Sequence, residues 1–127
     1  MKIVVDTSVI IDYLRSKTPD ETLFYDLSQK HDLVISLVTV AEIYSGKSAN
    51  TAKGQKIIKS IIEGMEIRIP DFELAKLAGE LRMKYQLSIS DAFIGVLALK
   101  LDIPLATLDT SDFNKIKNLK LSPQVSS

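Results

Sequence analysis

The chain has 127 residues, 46 % of them hydrophobic and 25 % charged, which is the size and balance of one globular domain and excludes a wholly disordered chain. Sixteen basic residues offset sixteen acidic ones, so no global field draws the protein onto nucleic acid or membrane, and any such contact must come from local patches. Cysteine is absent and His31 is the sole histidine, which excludes disulfides, zinc–thiolate sites, Fe–S clusters, thiol nucleophiles and multi-histidine metal centres. Carboxylates are left as the carriers of any chemistry.

In chain order, residues 2–5 read as a buried strand, followed by Asp6 and the helical pattern Val9, Ile10, Leu14. Thr18-Pro19-Asp20-Glu21 predicts a helix start, with Thr18 as N-cap, Pro19 in the first position and Glu21 closing a capping box. Leu23, Phe24 and Leu27 then share one face. His31 falls in a surface turn. Residues 33–35 form a second strand, and Thr39 with Glu42 gives a second box-like start. Ile57, Ile58, Ile61 and Ile62 recur at helical spacing. Residues 66–69 form a third strand. Asp71 then caps a helix bearing Leu74, Leu77, Ala78, Leu81 and Tyr85. Residues 91–101 are apolar nearly all round, as in a helix buried on most sides, with Asp91 at its entrance. Strands at 104–107 and, at an edge, 119–121 complete the series, and 122–127 reads as a loose tail.

No repeat or linker interrupts the chain, so 1–127 is expected to be a single domain. Strands interleaved with helices predict a three-layer α/β/α sandwich around a central, mostly parallel sheet of four to five strands. The absence of cysteine suits a reducing cytoplasm, the expected location. The apolar run at the N-terminus is too short for a signal peptide, and the longest strongly apolar stretch, 92–99, is far short of the ~20 residues a membrane span needs.

In such sheets ligands bind at the carboxyl ends of the strands. Asp6 directly follows the first strand, Glu42 lies in the first turns of the helix after the second, Asp91 opens the buried helix, and Asp109 and Asp112 follow the fourth strand. Each also has a plain structural reading: Asp6 and Asp91 as helix caps, Glu42 as the partner of Thr39, Asp109 and Asp112 as turn residues. Asp6 and Asp91, however, sit in the most apolar contexts of the chain with no basic neighbour in sequence, and acids are seldom buried unpaired. A cluster of them raises pKa values or recruits a hard divalent cation, Mg²⁺ or Mn²⁺. Ser8 and Thr107 offer hydroxyls to a water or a phosphate, or act as cap and strand-end residues.

Four segments carry a resemblance. They are Val4-Val5-Asp6-Thr7-Ser8-Val9-Ile10-Ile11-Asp12, Thr39-Val40-Ala41-Glu42-Ile43, Leu87-Ser88-Ile89-Ser90-Asp91-Ala92-Phe93-Ile94-Gly95, and Leu105-Ala106-Thr107-Leu108-Asp109 with Asp112-Phe113. In order and spacing they resemble the acidic motifs of the PIN domain. In size the chain resembles the VapC-type toxins of prokaryotic toxin–antitoxin pairs. The resemblance implies a PIN-like fold and a Mg²⁺- or Mn²⁺-dependent endoribonuclease that hydrolyses RNA through a metal-activated water. It implies Asp6, Glu42, Asp91 and Asp109 as catalytic residues, with Asp6, Asp91 and Asp109 as metal ligands. Many relatives carry Asn at the position of Asp109, and Asp112 is the alternative fourth acid. A homodimer, a VapB-type antitoxin partner and no membrane association are implied as well.

Lys47, Lys53, Lys56 and Lys59 stand in an acid-free stretch, and Lys115, Lys117 and Lys120 form a shorter cluster. Each cluster reads either as RNA phosphate contacts or as a solvated face. Tyr13, Leu14, Phe24 and Tyr25 either line a groove for a partner peptide or, for Leu14 and Phe24, belong to the core. Two other classes stay open. One is another Mg²⁺-dependent phosphoryl-transfer enzyme with an aspartyl nucleophile, which wants a second Asp two residues after the first, where this chain has Ser8. The other is a non-enzymatic Mg²⁺-binding regulatory module, which needs a lysine after a late strand, where this chain has Leu108 and Asp109.

Overall fold

The structure, a computed structural model, describes residues 1–122. Four strands, β1 (Lys2–Val5), β2 (Asp32–Ser36), β3 (Glu66–Arg68) and β4 (Leu105–Ala106), form one sheet in the order β3-β2-β1-β4 with every pairing parallel. The helices are α1 (Thr7–Arg15), α2 (Leu23–Lys30), α3 (Leu37–Tyr44), α4 (Ala52–Glu63), α5 (Phe72–Tyr85), α6 (Ile89–Leu101) and the single turn α7 (Thr110–Phe113).

Side chains along a strand alternate between faces, and here both faces are covered. Ile3, Val5, Leu33 and Ile35 point into one core, filled from α1 to α4 by Val9, Ile10, Phe24, Leu27, Ile43 and Ile58. Val4 and Val34 point into the other, filled by Ala78 of α5, Ala92 and Ile94 of α6, and Phe113 of α7. The result is the expected three-layer sandwich. Its buried helix is α6, which packs on β1 and β2 with α3 and α5 beside it. Among the described residues no helix is long and apolar enough to cross a membrane.

Several local expectations need correction. The segment 119–121 is not a fifth strand: Leu121 makes an isolated parallel bridge to Leu105. The Leu105 amide donates to the Lys120 carbonyl and the Ser122 amide to the Leu105 carbonyl, both at 2.8 Å. Ser122 is therefore buried and pinned, not the start of a loose tail; residues 123–127 lie outside the described part. Thr18 caps nothing, and Pro19–Glu21 is a separate 3-10 turn. Thr22 is extended (φ −89°, ψ 159°) and interrupts the helix. Its hydroxyl donates to the Pro19 carbonyl at 2.7 Å and accepts the Tyr25 amide at 3.3 Å, so Thr22 caps α2. Likewise α3 is capped by Ser36, which accepts the Val38 amide at 3.2 Å, and not by Thr39. Asp71 caps α5 as expected, accepting the Leu74 amide at 2.9 Å. His31 ends α2 half-buried, with its Nδ1 inside the protein rather than on a surface turn.

Candidate active site

β1 and β4 are neighbours in space, yet β4 is the last strand in sequence and lies on the opposite side of β1 from β2. Their carboxyl ends therefore mark the topological switch point, the place where open α/β sheets bind ligands. Asp6 stands there, only 3 % exposed, with its amide donating to the Ala106 carbonyl of β4 at 2.9 Å. It occupies the N-cap position of α1 but its carboxylate makes no capping bond. Instead Oδ2 accepts the Ser8 hydroxyl at 2.7 Å and the Thr107 hydroxyl at 2.8 Å. Ser8 Oγ in turn accepts the Leu108 amide at 3.1 Å, and Thr107 Oγ1 accepts the Asp109 amide at 2.9 Å. Both hydroxyl protons are committed to Asp6, so Ser8 and Thr107 hold the acid and tie it to the loop after β4.

The other acids arrive from three elements. Ser88 caps α6 by accepting the Asp91 amide at 3.1 Å. That relieves the Asp91 carboxylate of capping and leaves it at the helix entrance. Asp109 sits in the N-cap position of α7 without capping it, and Asp112 lies within that turn. Carboxylate oxygens of Asp91, Asp109 and Asp112 all lie within 4.8 Å of one another. Charges at that spacing repel by roughly 3 kcal/mol at an effective dielectric of ~20. Asp112, a secondary candidate in the sequence, is thus part of the tightest group, while Asp6 lies outside that triplet. Lys115 is the one basic side chain paired with any of these acids among the described residues, its Nζ 3.7 Å from Asp112 Oδ1.

The electrostatics follow from this crowding. Burial pushes Asp6 above its ordinary value, against the lowering bonds from Ser8 and Thr107, and the charge of Glu42 adds to the rise. Asp91 is pushed up to about 6, first by burial and then by the charge of Asp6, with Asp109 and Asp112 adding to it and the Ser88 hydroxyl opposing. The donor set is carboxylate only, with no imidazole or thiolate, which suits a hard cation such as Mg²⁺ or Mn²⁺.

Glu42 comes from the second turn of α3 and closes no capping box. Its Oε1 accepts the Thr7 hydroxyl at 2.7 Å, and Thr7 Oγ1 lies 3.1 Å from Thr39 Oγ1. Sequence reading missed Thr7 and Thr39 as holders of Glu42. The available signal was a hydroxyl residue set between Val38 and Val40 on an apolar helix.

The first lysine cluster is exposed: Lys47 lies in a 3-10 turn and Lys53, Lys56 and Lys59 lie on α4, and among the described residues none makes an ion pair. Lys47 and Lys53 rim a groove of about 500 Å³ shared with Tyr13, Leu14, Pro19 and Ile57. Phe24 is core and meets Tyr13 in a tilted ring pair with centroids 4.9 Å apart, and Leu14 is half-buried against the same core. In the second cluster, Lys115 pairs with Asp112 and Lys120 with Asp102 at 3.2 Å.

A parallel α/β sheet thus carries a buried aspartate and a carboxylate triplet at its switch point, a donor set that could hold a hard cation. The chain belongs to the PIN domain family, whose model matches residues 3–119. Its fold is shared by a chain of the VapBC2 complex of Rickettsia felis bound to a DNA fragment from its promoter (TM-score 0.77, 19 % identity, 96 % of this chain and 98 % of that one). It is shared too by a chain of FitAcB from Neisseria gonorrhoeae (TM-score 0.75, 25 % identity, 95 % and 97 %). A third is Mycobacterium tuberculosis VapC20, described as a sarcin–ricin loop cleaving toxin (TM-score 0.70, 14 % identity, 93 % and 98 %). No curated protein matches the chain in sequence.

Proposed function

We propose that this chain is a single-domain, divalent-cation-dependent endoribonuclease, the VapC-type toxin of a toxin–antitoxin pair. The observation that carries the reading is the convergence of Asp91, Asp109 and Asp112 within 4.8 Å beside the buried Asp6. Asp6, Asp91 and Asp109 would hold Mg²⁺ or Mn²⁺, with Asp112 as the added ligand that the geometry favours. When bound, such an ion acidifies water and offsets the charge of a phosphodiester.

The chain's own residues do the rest. Ser8 and Thr107 fix Asp6 through Oδ2. Glu42, held through Oε1, takes the proton of the attacking water. Lys115, beside Asp112, presents a positive charge to the RNA phosphate. The Ser8 and Thr107 hydroxyls are occupied as donors to Asp6, which favours direct hydrolysis over a covalent intermediate. Ser8 in the place of a second aspartate likewise disfavours an aspartyl-phosphate enzyme. Lys47, Lys53, Lys56 and Lys59 supply sequence-independent phosphate contacts. The similarity to chains of VapBC and FitAB-type complexes supports an antitoxin partner of VapB type, and the homodimer and cytoplasmic setting that the family resemblance implies belong to the same proposal.

The test is cleavage of a labelled RNA by purified protein. Cleavage is expected with Mg²⁺ or Mn²⁺, and its loss is expected with EDTA and in Asp6→Asn or Asp91→Asn. Full activity in both variants would overturn the site.

A further inference from the structure

Glu42 is held by a line of hydroxyls that ends in the core. Thr39 is completely buried (0 % exposed) and Thr7 nearly so (6 %). Thr39 Oγ1 lies 3.1 Å from Thr7 Oγ1, and Thr7 Oγ1 lies 2.7 Å from Glu42 Oε1. A hydroxyl has one proton to give, and an ionised carboxylate only accepts. The Thr7 hydroxyl is placed to donate to Glu42 Oε1 at 2.7 Å and to Thr39 Oγ1 at 3.1 Å, and the shorter bond, to the carboxylate, takes its proton. Thr39 Oγ1 lies against the same hydroxyl from the core side and fixes where it sits.

Packing alone does not call for these hydroxyls. Val38 and Val40 flank Thr39, and valine would fill its volume without burying a polar atom, which is costly unless bonded. The bond spans two helices, joining the first turn of α1 to the body of α3. It is also the counterpart of the Asp6 arrangement, where hydroxyls engage one carboxylate oxygen and not the other.

The geometry points to Thr7 and Thr39 as positioning residues for Glu42. Thr7 engages Oε1 and Thr39 fixes Thr7 from the core side, and together they set the reactivity of Glu42 toward the attacking water. This rests on the nuclease reading above.

The experiment is a double-mutant cycle on RNA cleavage with wild type, Thr39→Val, Glu42→Gln and the double variant, with Thr39→Ser as the conservative control. Thr39→Val is expected to lower kcat ~10-fold, the scale of lost outer-shell partners, with KM changed less than about two-fold. Thr39→Ser keeps the hydroxyl and is expected to restore most of kcat. In the Glu42→Gln background Thr39→Val is expected to cost nothing further, because contacts that act through one group are non-additive. Multiplying losses, or wild-type kcat in Thr39→Val, would overturn the proposal. The carboxyl-carbon NMR resonance of Glu42 in metal-free protein gives a second readout, expected to shift in Thr39→Val and not in Thr39→Ser. If wild type cleaves no RNA, the nuclease reading fails, and an unmoved resonance then overturns the hydroxyl chain separately. If Thr39→Val does not fold, Thr7→Val and Thr7→Ser replace it in the same cycle.

Discussion

Asp91 shows how one residue links the acidic site to stability. Its carboxyl is pushed from the ordinary 3.8 to about 6 by burial and by the charges of Asp6, Asp109 and Asp112. The folded, cation-free protein therefore binds this proton more tightly than the unfolded chain does. That contribution is fully present below about pH 4 and is lost as pH rises through 6. A bound divalent cation reverses the balance, since it favours the ionised acid. Cation-free protein is thus expected to melt lower at pH 7.5 than at pH 5, and Mn²⁺ is expected to restore stability at pH 7.5, both read by thermal denaturation. Asp91→Asn removes the charge, so it should raise the cation-free Tm at pH 7.5 by on the order of 5 °C. It should also flatten this part of the pH dependence and lower RNA cleavage by on the order of 10²–10³-fold. Thr107→Val takes one hydroxyl from Asp6 Oδ2. It is expected to weaken Mn²⁺ affinity by ~10-fold or more in calorimetry. The places of the acids were legible in sequence: Asp6 follows β1, Asp91 stands in the first turn of α6 and Asp109 follows β4, while Glu42 lies a turn deeper in α3. Their holders were less so. A threonine reads alike as cap, strand end or bond donor, and only the approach of α3 to α1 shows that Thr39 serves Glu42.

At the scale of elements, the loop that delivers Asp109 and Asp112 is anchored by Phe113, with Ile116 buried in the same cluster. Phe113 follows Asp112 directly and is fully buried against the α5–α6 layer. Phe113→Ala is expected to cost about 3–5 kcal/mol in denaturant unfolding. Mn²⁺ affinity should fall with it, because α7 is one turn with little helical stability of its own. A second dependence lies at the start of α4. A Cβ on Gly54 would meet the carbonyl of Ser48. Neither side of that contact is a flexible side-chain end, so Gly54→Ala should cost about 1–3 kcal/mol. It should leave Mn²⁺ binding unchanged. Periodicity revealed the long helices well: the isoleucines of α4 and the apolar run of α6 fall where the structure has them. Helix starts were read poorly where two hydroxyl residues competed. Thr18 and Thr22 both suit an N-cap, and Thr22 prevailed because its hydroxyl bonds both the preceding turn and the following helix. The segment 119–121 looked like a strand, but among the described residues its one bridge to the sheet is Leu121 to Leu105, at the edge of the two-residue β4.

For the whole molecule, the balance of sixteen against sixteen charges conceals a segregation. Asp6, Asp91, Asp109 and Asp112 gather at the switch point between β1 and β4, while Lys47, Lys53, Lys56 and Lys59 are exposed and make no ion pair among the described residues. Strand alternation with helices was enough to read the layers, because β1 and β2 are apolar on both faces. The strand order was not legible, since nothing in the sequence of β4 states that it pairs with β1 on the side away from β2. That order creates the switch point, and the switch point brings Asp6 beside Asp109. The most direct test is a Mn²⁺ soak of crystals of the protein, read by anomalous scattering. An ion bound by Asp6, Asp91, Asp109 and Asp112 in wild type, and lost in Asp91→Asn, is the expected result. Crystals that take up no Mn²⁺ there, from protein that still cleaves RNA in EDTA, would contradict the assignment.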